Sequence, residues 1–415
     1  MAQESPSLTA YQLRVLAVLA LINFVNFAER GVVPPLVPLL RGEFGASSAQ
    51  LGLLQVVLQA VLAVASIPFG LFADRWSRTR VISFGVIFAG AATVLSGMAT
   101  TFTMLLAARA LVGVGEAAYA PAGQSMISGA FSVQSRARAQ AIFAAGMLLG
   151  GAAGQLLGSV IGDAFGWRRA FIYIGIPGTA FVLAVVGMAE PPRGPRSEAI
   201  PLRLLLGVPA FVALIASGIM ITFASVAFIT WGTDFLVRYK DFSLREAGVS
   251  LGPTLLISLL VGVLAGGAIA DLLQKRFLSG RILTVATGFL LAAPFLLWAI
   301  TTEEKLSVVI AFFTAAFFMS WYHGPVTAVI HDLMPSRAHA SSVGVYMFAT
   351  QLLGGILGPY VVGEIDDLSD LLIGLRVAIG VMIAGGLTMF LVMYFIRRDG
   401  LHHPRLEAFR AAASD

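Results

Sequence analysis

Twelve stretches of this chain are apolar for about 20 residues each, the length a helix needs to cross the hydrocarbon core of a bilayer. They run over about 13–39, 50–73, 81–99, 102–130, 138–162, 169–188, 208–236, 246–271, 280–299, 306–333, 339–365 and 372–396. The pattern calls for an all-α membrane protein with twelve transmembrane helices. Composition agrees: 12% of the 415 residues are charged, about half the share in a soluble domain. Cysteine is absent, which rules out disulfides and thiolate metal sites. Histidines are few and, apart from His402-His403, scattered without metal-ligand spacing, so no metal or cofactor is expected. No nucleophile–base set stands out, so the chain does not read as an enzyme. Its net charge of +5 is no nucleic-acid signal, because the basic residues sit mostly in loops.

Those loops orient the chain. An even number of spans puts both termini on one side. With that side cytoplasmic, inner segments carry 17 Lys and Arg and outer loops carry 7, the bias expected of cytoplasmic loops. The expectation is a plasma-membrane protein of bacterial inner-membrane type, both termini cytoplasmic. The first span lacks the short apolar core and cleavage site of a signal peptide and reads as an uncleaved helix. The polar, Pro-rich stretch 190–198 divides the chain. The division is a six-helix bundle over 1–188, a cytoplasmic linker over 189–206, a second bundle over 207–397 and a tail over 398–415.

Charge inside these spans is the main functional clue. Glu29-Arg30 lies late in the first span and Arg109-x6-Glu116 inside the fourth. A charge at membrane depth costs roughly 2.5–3.5 kcal/mol on insertion scales, so it persists where it faces protein or water and serves a pathway. Glu29 lies about 24 Å up the first span and Arg109 about 10 Å below the outer face of the fourth. The two are therefore level and expected to pair. Arg109 and Glu116, two turns apart, share a helix face, with Glu116 a second stop for a proton. A carboxyl between dry surroundings and an arginine suits proton uptake and release; the other reading is a static ion pair. Arg30 points away from Glu29's face, either into the pathway or out to the headgroups.

The two halves also repeat. Gly70-Leu-Phe-Ala-Asp74-Arg75-Trp-Ser-Arg78-Thr-Arg80 follows span two, and Gly267-Ala-Ile-Ala-Asp271-Leu-Leu-Gln-Lys275-Arg276 follows span eight. They align at an offset of 197, near half the chain, as in carriers built from two related bundles. The first copy resembles the loop motif of the major facilitator superfamily, G-x-L-A-D-R-x-G-R-R, departing at Phe72, Ser77 and Thr79. That resemblance implies two six-helix bundles around a central cavity and alternating access. It also implies that Gly70, Asp74, Arg75 and Arg78 form an inner gate, with Asp74 against the start of span eleven and Asp271 as the weaker counterpart.

A narrower resemblance follows from Asn26-Phe-Ala-Glu29-Arg30 and Arg109-Ala-Leu-Val-Gly113-Val-Gly115-Glu116-Ala-Ala-Tyr119. These are similar to the N-Y-x-D-R and R-x-L-V-G-x-G-E-A-x-Y segments of the spinster family, with Glu29 in place of Asp. The resemblance implies a proton-coupled carrier of lysophospholipids or sphingoid phosphates. Glu29 and Glu116 would then handle protons, and Asn26, Arg30, Arg109 and Tyr119 substrate or ion pairing. The same first-span charges also fit a proton-linked carrier of small organic anions or drugs. The expected partners are an amphipathic or anionic substrate, protons and the bilayer, with the carrier a monomer.

Other features stay open between two readings. His323, after Trp321 and Tyr322 in span ten, either faces the cavity or packs. Trp231, with Thr233 and Asp234, is either a gate residue or part of an interfacial belt. The glycines Gly150, Gly154 and Gly158 in span five and Gly354 and Gly358 in span eleven read as close helix packing.

Overall fold

In hydrocarbon no water satisfies a backbone amide or carbonyl, so each crossing segment must satisfy its own. A computed structural model describes residues 9–191, 202–335 and 338–399, and no strand occurs among them. Most of the expected linker and nearly all of the expected tail lie outside the described residues. The helices are α1 (Ala10–Gly31), α2 (Val33–Phe44), α3 (Ser48–Arg75), α4 (Arg78–Gly97), α5 (Phe102–Ala130), α6 (Val133–Phe165), α7 (Trp167–Ala180), α8 (Val182–Val185) and α9 (Leu202–Leu205). They continue with α10 (Pro209–Tyr239), α11 (Leu244–Gln274), α12 (Gly280–Thr301), α13 (Lys305–Met319), α14 (His323–Leu333), α15 (His339–Ala349), α16 (Ile356–Leu368) and α17 (Leu371–Asp399). Twelve runs among the described residues are long and apolar enough to cross a membrane.

Local chemistry sets the ends and the breaks. Thr9 and Gln12 form a capping box on α1, with bonds of 3.2 and 3.1 Å. Ser243 and Glu246 do the same on α11. Four of the expected spans are interrupted, the sixth at Phe181 between α7 and α8. The first breaks at Val32, where Pro34 and Pro35 supply no amide to the preceding turn. The tenth breaks at the 3₁₀ turn Ser320–Tyr322, and the eleventh widens into a π turn at Thr350–Gly355. Gly45, at φ 58°, ends α2 in the left-handed conformation that glycine adopts without strain.

The chain forms two compact units: Met1–Ala46 with Val57–Pro195, and Ser47–Val56 with Arg196–Asp415. In the first, α1 packs along α6, and α4 packs against α5 and α7. In the second, α10 packs along α17, and α12 against α17 and α13. The glycine-rich runs recur at matching contacts. A Cβ on Gly150 or Gly154 would collide with the backbone of Phe24 or Ala28 on α1. A Cβ on Gly354 or Gly358 would collide with Ile219 or Phe223 on α10. In each unit small residues bring two helix backbones together where a larger side chain would hold them apart.

Candidate functional site

The charged residues of the first unit lie along the seam of α1 and α5. Two bonds set their register. Arg109 Nη1 donates to the backbone carbonyl of Glu29 at 3.4 Å, and the Tyr119 hydroxyl donates to that of Leu19 at 2.9 Å. Arg109 therefore faces Glu29, and Glu116 lies two turns, about 10 Å, further along α5. Both α5 charges are buried, with Arg109 at 0% and Glu116 at 1% exposure.

The pairing differs from the level-for-level expectation. Arg30, not Arg109, takes the carboxylate partner. It folds back along α1, with its guanidinium 4.7 Å from the Phe27 ring centre, and binds Glu116 through Nε at 2.6 Å and through Nη2. The reason is helical geometry. Consecutive residues diverge by about 100° around the axis, so Glu29 and Arg30 cannot both face α5. Glu29 instead faces α7 and α4. A Cβ on Gly178 of α7 would sit 2.5 Å from Glu29 Oε1, so the missing side chain makes room for the carboxyl. The Thr93 hydroxyl of α4 lies beside it.

One charge pair is thus made and another is not. Neither oxygen of Glu29 finds a hydrogen-bond partner among the described residues, and neither do Nε and Nη2 of Arg109. The Arg109 guanidinium lies 5.9 Å from the Phe171 ring centre instead. A carboxyl and a guanidinium with free hydrogen-bonding capacity therefore lie buried around one backbone bond. Asn26 is buried on α1, one turn before Glu29.

The other expected site residues fall elsewhere. Trp231 is fully buried, and its indole nitrogen donates to the Pro359 carbonyl at 3.0 Å. It holds α10 to α16, which overturns the interfacial-belt reading and leaves its single donor occupied. His323 opens α14 exposed, its ring 4.1 Å from that of Tyr322. Gly70 and Asp74 lie in the last two turns of α3, and their side-chain surroundings are outside the described set. Arg75 ends the same helix, exposed. Arg78 is buried, and its Nη1 donates to the Ser125 carbonyl at 3.5 Å, so it ties α4 to α5. Asp271 is 72% exposed and 3.9 Å from Arg281, whose closer partner is Asp332.

Several groups went unread in the sequence. Glu190 accepts bonds from the Ser77 hydroxyl and from the Thr79 amide and hydroxyl, at 3.2 and 3.0 Å for Thr79. Its signal was available: it is the first acidic residue after span six. Thr93 and Gly178 carried no such signal, being ordinary residues of apolar helices.

The family model of the Major Facilitator Superfamily matches residues 19–359. An MFS-type efflux pump of Mycolicibacterium smegmatis is 26% identical over 406 residues, covering 94% of each chain. The sphingosine-1-phosphate transporter SPNS2 of Danio rerio is 26% identical over 383 residues, covering 84% of this chain and 75% of its own. Among solved structures, a bacterial homologue of the human lysosomal transporter Spinster, inward-facing and occupied, superposes with a TM-score of 0.85. It is 24% identical and covers 94% of this chain and 99% of its own. That likeness carries the fold.

Proposed function

Because this chain belongs to the Major Facilitator Superfamily, and is an integral membrane transporter resembling spinster proteins, we propose that it couples proton movement to the transport of amphipathic anionic lipids by alternating access. One observation carries the reading: among the described residues the buried Glu29 carboxylate accepts no hydrogen bond and the buried Arg109 guanidinium donates only to the Glu29 carbonyl, next to the completed Arg30–Glu116 pair. A static salt-bridge cluster would be expected to pair both, since an uncompensated buried charge is strongly destabilising. The free donors of Arg109 suit a phosphate or carboxylate headgroup, which a guanidinium binds bidentately. A proton on Glu29 removes a charge buried away from any ion-pair partner among the described residues. A proton on Glu116 frees Arg30 for the same anion. Substrate and proton thus act on one set of four side chains.

The lipid class rests on the likeness to a sphingosine-1-phosphate transporter. The likeness to an efflux pump over nearly the full length of both chains favours a second reading, a proton-linked carrier of small organic anions or drugs. The arginine bias of the loops supports cytoplasmic termini in a bacterial inner membrane. The two-bundle division with its linker and tail, the inner-gate role of Asp74 and the monomeric state belong to the same proposal.

The test is transport in proteoliposomes under an imposed pH gradient. Lysophospholipids, sphingoid phosphates and organic anions serve as competing substrates. Glu29→Gln and Glu116→Gln should each abolish the response to the gradient while the protein stays folded, and lysolipids should compete best. If both variants follow the gradient like the parent, the charges are structural. If organic anions alone compete, the second reading replaces the first.

A further inference from the structure

Among the described helices, α3 alone is divided between the two compact units. Its first turns, within Ser47–Val56, belong to the second unit, and the rest belongs to the first. The division has a visible cause at the helix start. The first four amides of a helix have no partner within it. In α3 the local chain satisfies two of them: Ser47 N donates to Gln50 Oε1 at 3.0 Å and Gln50 N to Ser47 Oγ at 3.3 Å. The other two are satisfied from more than 300 residues away. Ser48 N and Ala49 N donate to Oδ1 and Oδ2 of Asp367 at 2.7 and 2.8 Å, and the Ser48 hydroxyl donates to Asp366.

The Asp366 carboxylate is itself held. Arg238 on α10 donates to Asp366 through Nη1 at 2.7 Å and Nη2 at 3.1 Å, and to Asp234 at 3.2 Å. The Asp366 side chain is 3% exposed and that of Arg238 33%. The backbones also meet closely, since a Cβ on Gly363 would lie 2.6 Å from the Ser48 carbonyl. Negative charge at a helix N-terminus is favourable through both the amides and the helix dipole.

We propose that Asp366 and Asp367 form a releasable clasp on the first turn of α3, at the membrane face opposite the chain's N-terminus, and that opening it frees Ser47–Val56 from the second unit during the transport cycle. The self-cap at Ser47 is the reason that release is feasible. With Ser47 and Gln50 still bonded to each other, α3 keeps its start when the carboxylates leave, and water takes over two amides. Arg238 makes the clasp specific by holding Asp366 in its bidentate grip. This proposal rests on membership of a transporter superfamily and on neither the proton nor the lipid reading.

The chain lacks cysteine, so one introduced thiol reports alone. Ala49, buried at 8% exposure beneath the clasp, is replaced by Cys, and its labelling by N-ethylmaleimide is timed in lipid nanodiscs. Asp367→Asn, Asp366→Asn and Arg238→Gln should each raise the rate about fivefold or more. Asp370→Asn should leave it unchanged, because Asp370 bonds to Tyr239 and to the amide of Leu372 rather than to α3. Rates within twofold of the parent in all three clasp variants would make the contact a permanent part of the fold. An equal rise with Asp370→Asn would take the role away from Asp366 and Asp367. Loss of pH-driven transport in the Glu29 or Glu116 variants leaves this readout untouched, so the two proposals fail separately.

Discussion

The Arg30–Glu116 pair yields an ordered set of stabilities. The Glu116 side chain is 2% exposed and that of Arg30 16%, so the partners are not equivalent. Arg30→Met leaves a carboxylate deep in the first unit after removing both donors to its Oε2, and breaking a buried pair in this way costs about 3–5 kcal/mol. Glu116→Gln leaves the arginine, whose guanidinium lies over the Phe27 ring and can turn toward its exposed side. That variant loses charge-assisted hydrogen bonds and should cost about 1–3 kcal/mol. The double variant Arg30→Met/Glu116→Leu leaves no orphaned charge. It should cost less than Arg30→Met alone, since apolar replacement of a buried pair is often neutral. The assay is reversible unfolding in mixed micelles, with the single variant Glu116→Leu added so that the parent, Arg30→Met, Glu116→Leu and the double variant form a double-mutant cycle. If Glu116→Gln costs as much as Arg30→Met, the exposure argument is wrong. If the double variant costs the sum of the singles, the two side chains are not coupled and the bond does not operate in solution.

Two further outcomes follow from neighbouring contacts. Gly178→Ala should fold, because the atom it meets is the free end of the Glu29 side chain, but it should push the carboxyl out of its niche and alter the pH dependence of transport in the proteoliposome assay; a parent-like pH profile would remove the niche from the mechanism. At Glu190 burial raises the carboxyl, but the Ser77 hydroxyl and the Thr79 amide and hydroxyl outweigh it and hold it below the ordinary range. A carboxyl lowered on folding contributes fully above its unfolded value of about 4.3 and loses that contribution as pH falls through its folded value. The Tm gap between parent and Glu190→Gln should therefore be constant from about pH 6 to 8 and close below about pH 4. A gap that varies near neutrality would assign the loop's stability to another group.

The number and helical nature of the crossings were legible because they depend on local sums. A run of about 20 apolar residues must cross and must be helical wherever its neighbours sit. The half-chain repeat and the glycine runs were equally plain, and the glycines lie where two backbones touch in each unit. The break in the first span went unread, because the apolar count ran straight through Pro34 and Pro35.

The four buried charges were legible as residues but not as partners. Depth along two helices made Glu29 and Arg109 level, and they are, yet rotation about α1 turned the Glu29 carboxyl toward Gly178 and Thr93 and left Arg30 to reach Glu116. Depth follows from counting residues, whereas azimuth depends on which neighbouring helix presents a gap, and a gap such as that at Gly178 has no signature in a string of apolar letters. The same distinction governs α3. Its sequence supplies a cap of its own at Ser47, and the fold brings Asp367 to the two amides that remain and Asp366 to the Ser48 hydroxyl. What must lie in the membrane, and which charges must be answered there, follow from the order of residues alone. Which group answers each one follows from packing, because a charge or an amide is satisfied by whatever lies within about 3 Å, and that distance is set by how the helices meet rather than by position along the chain.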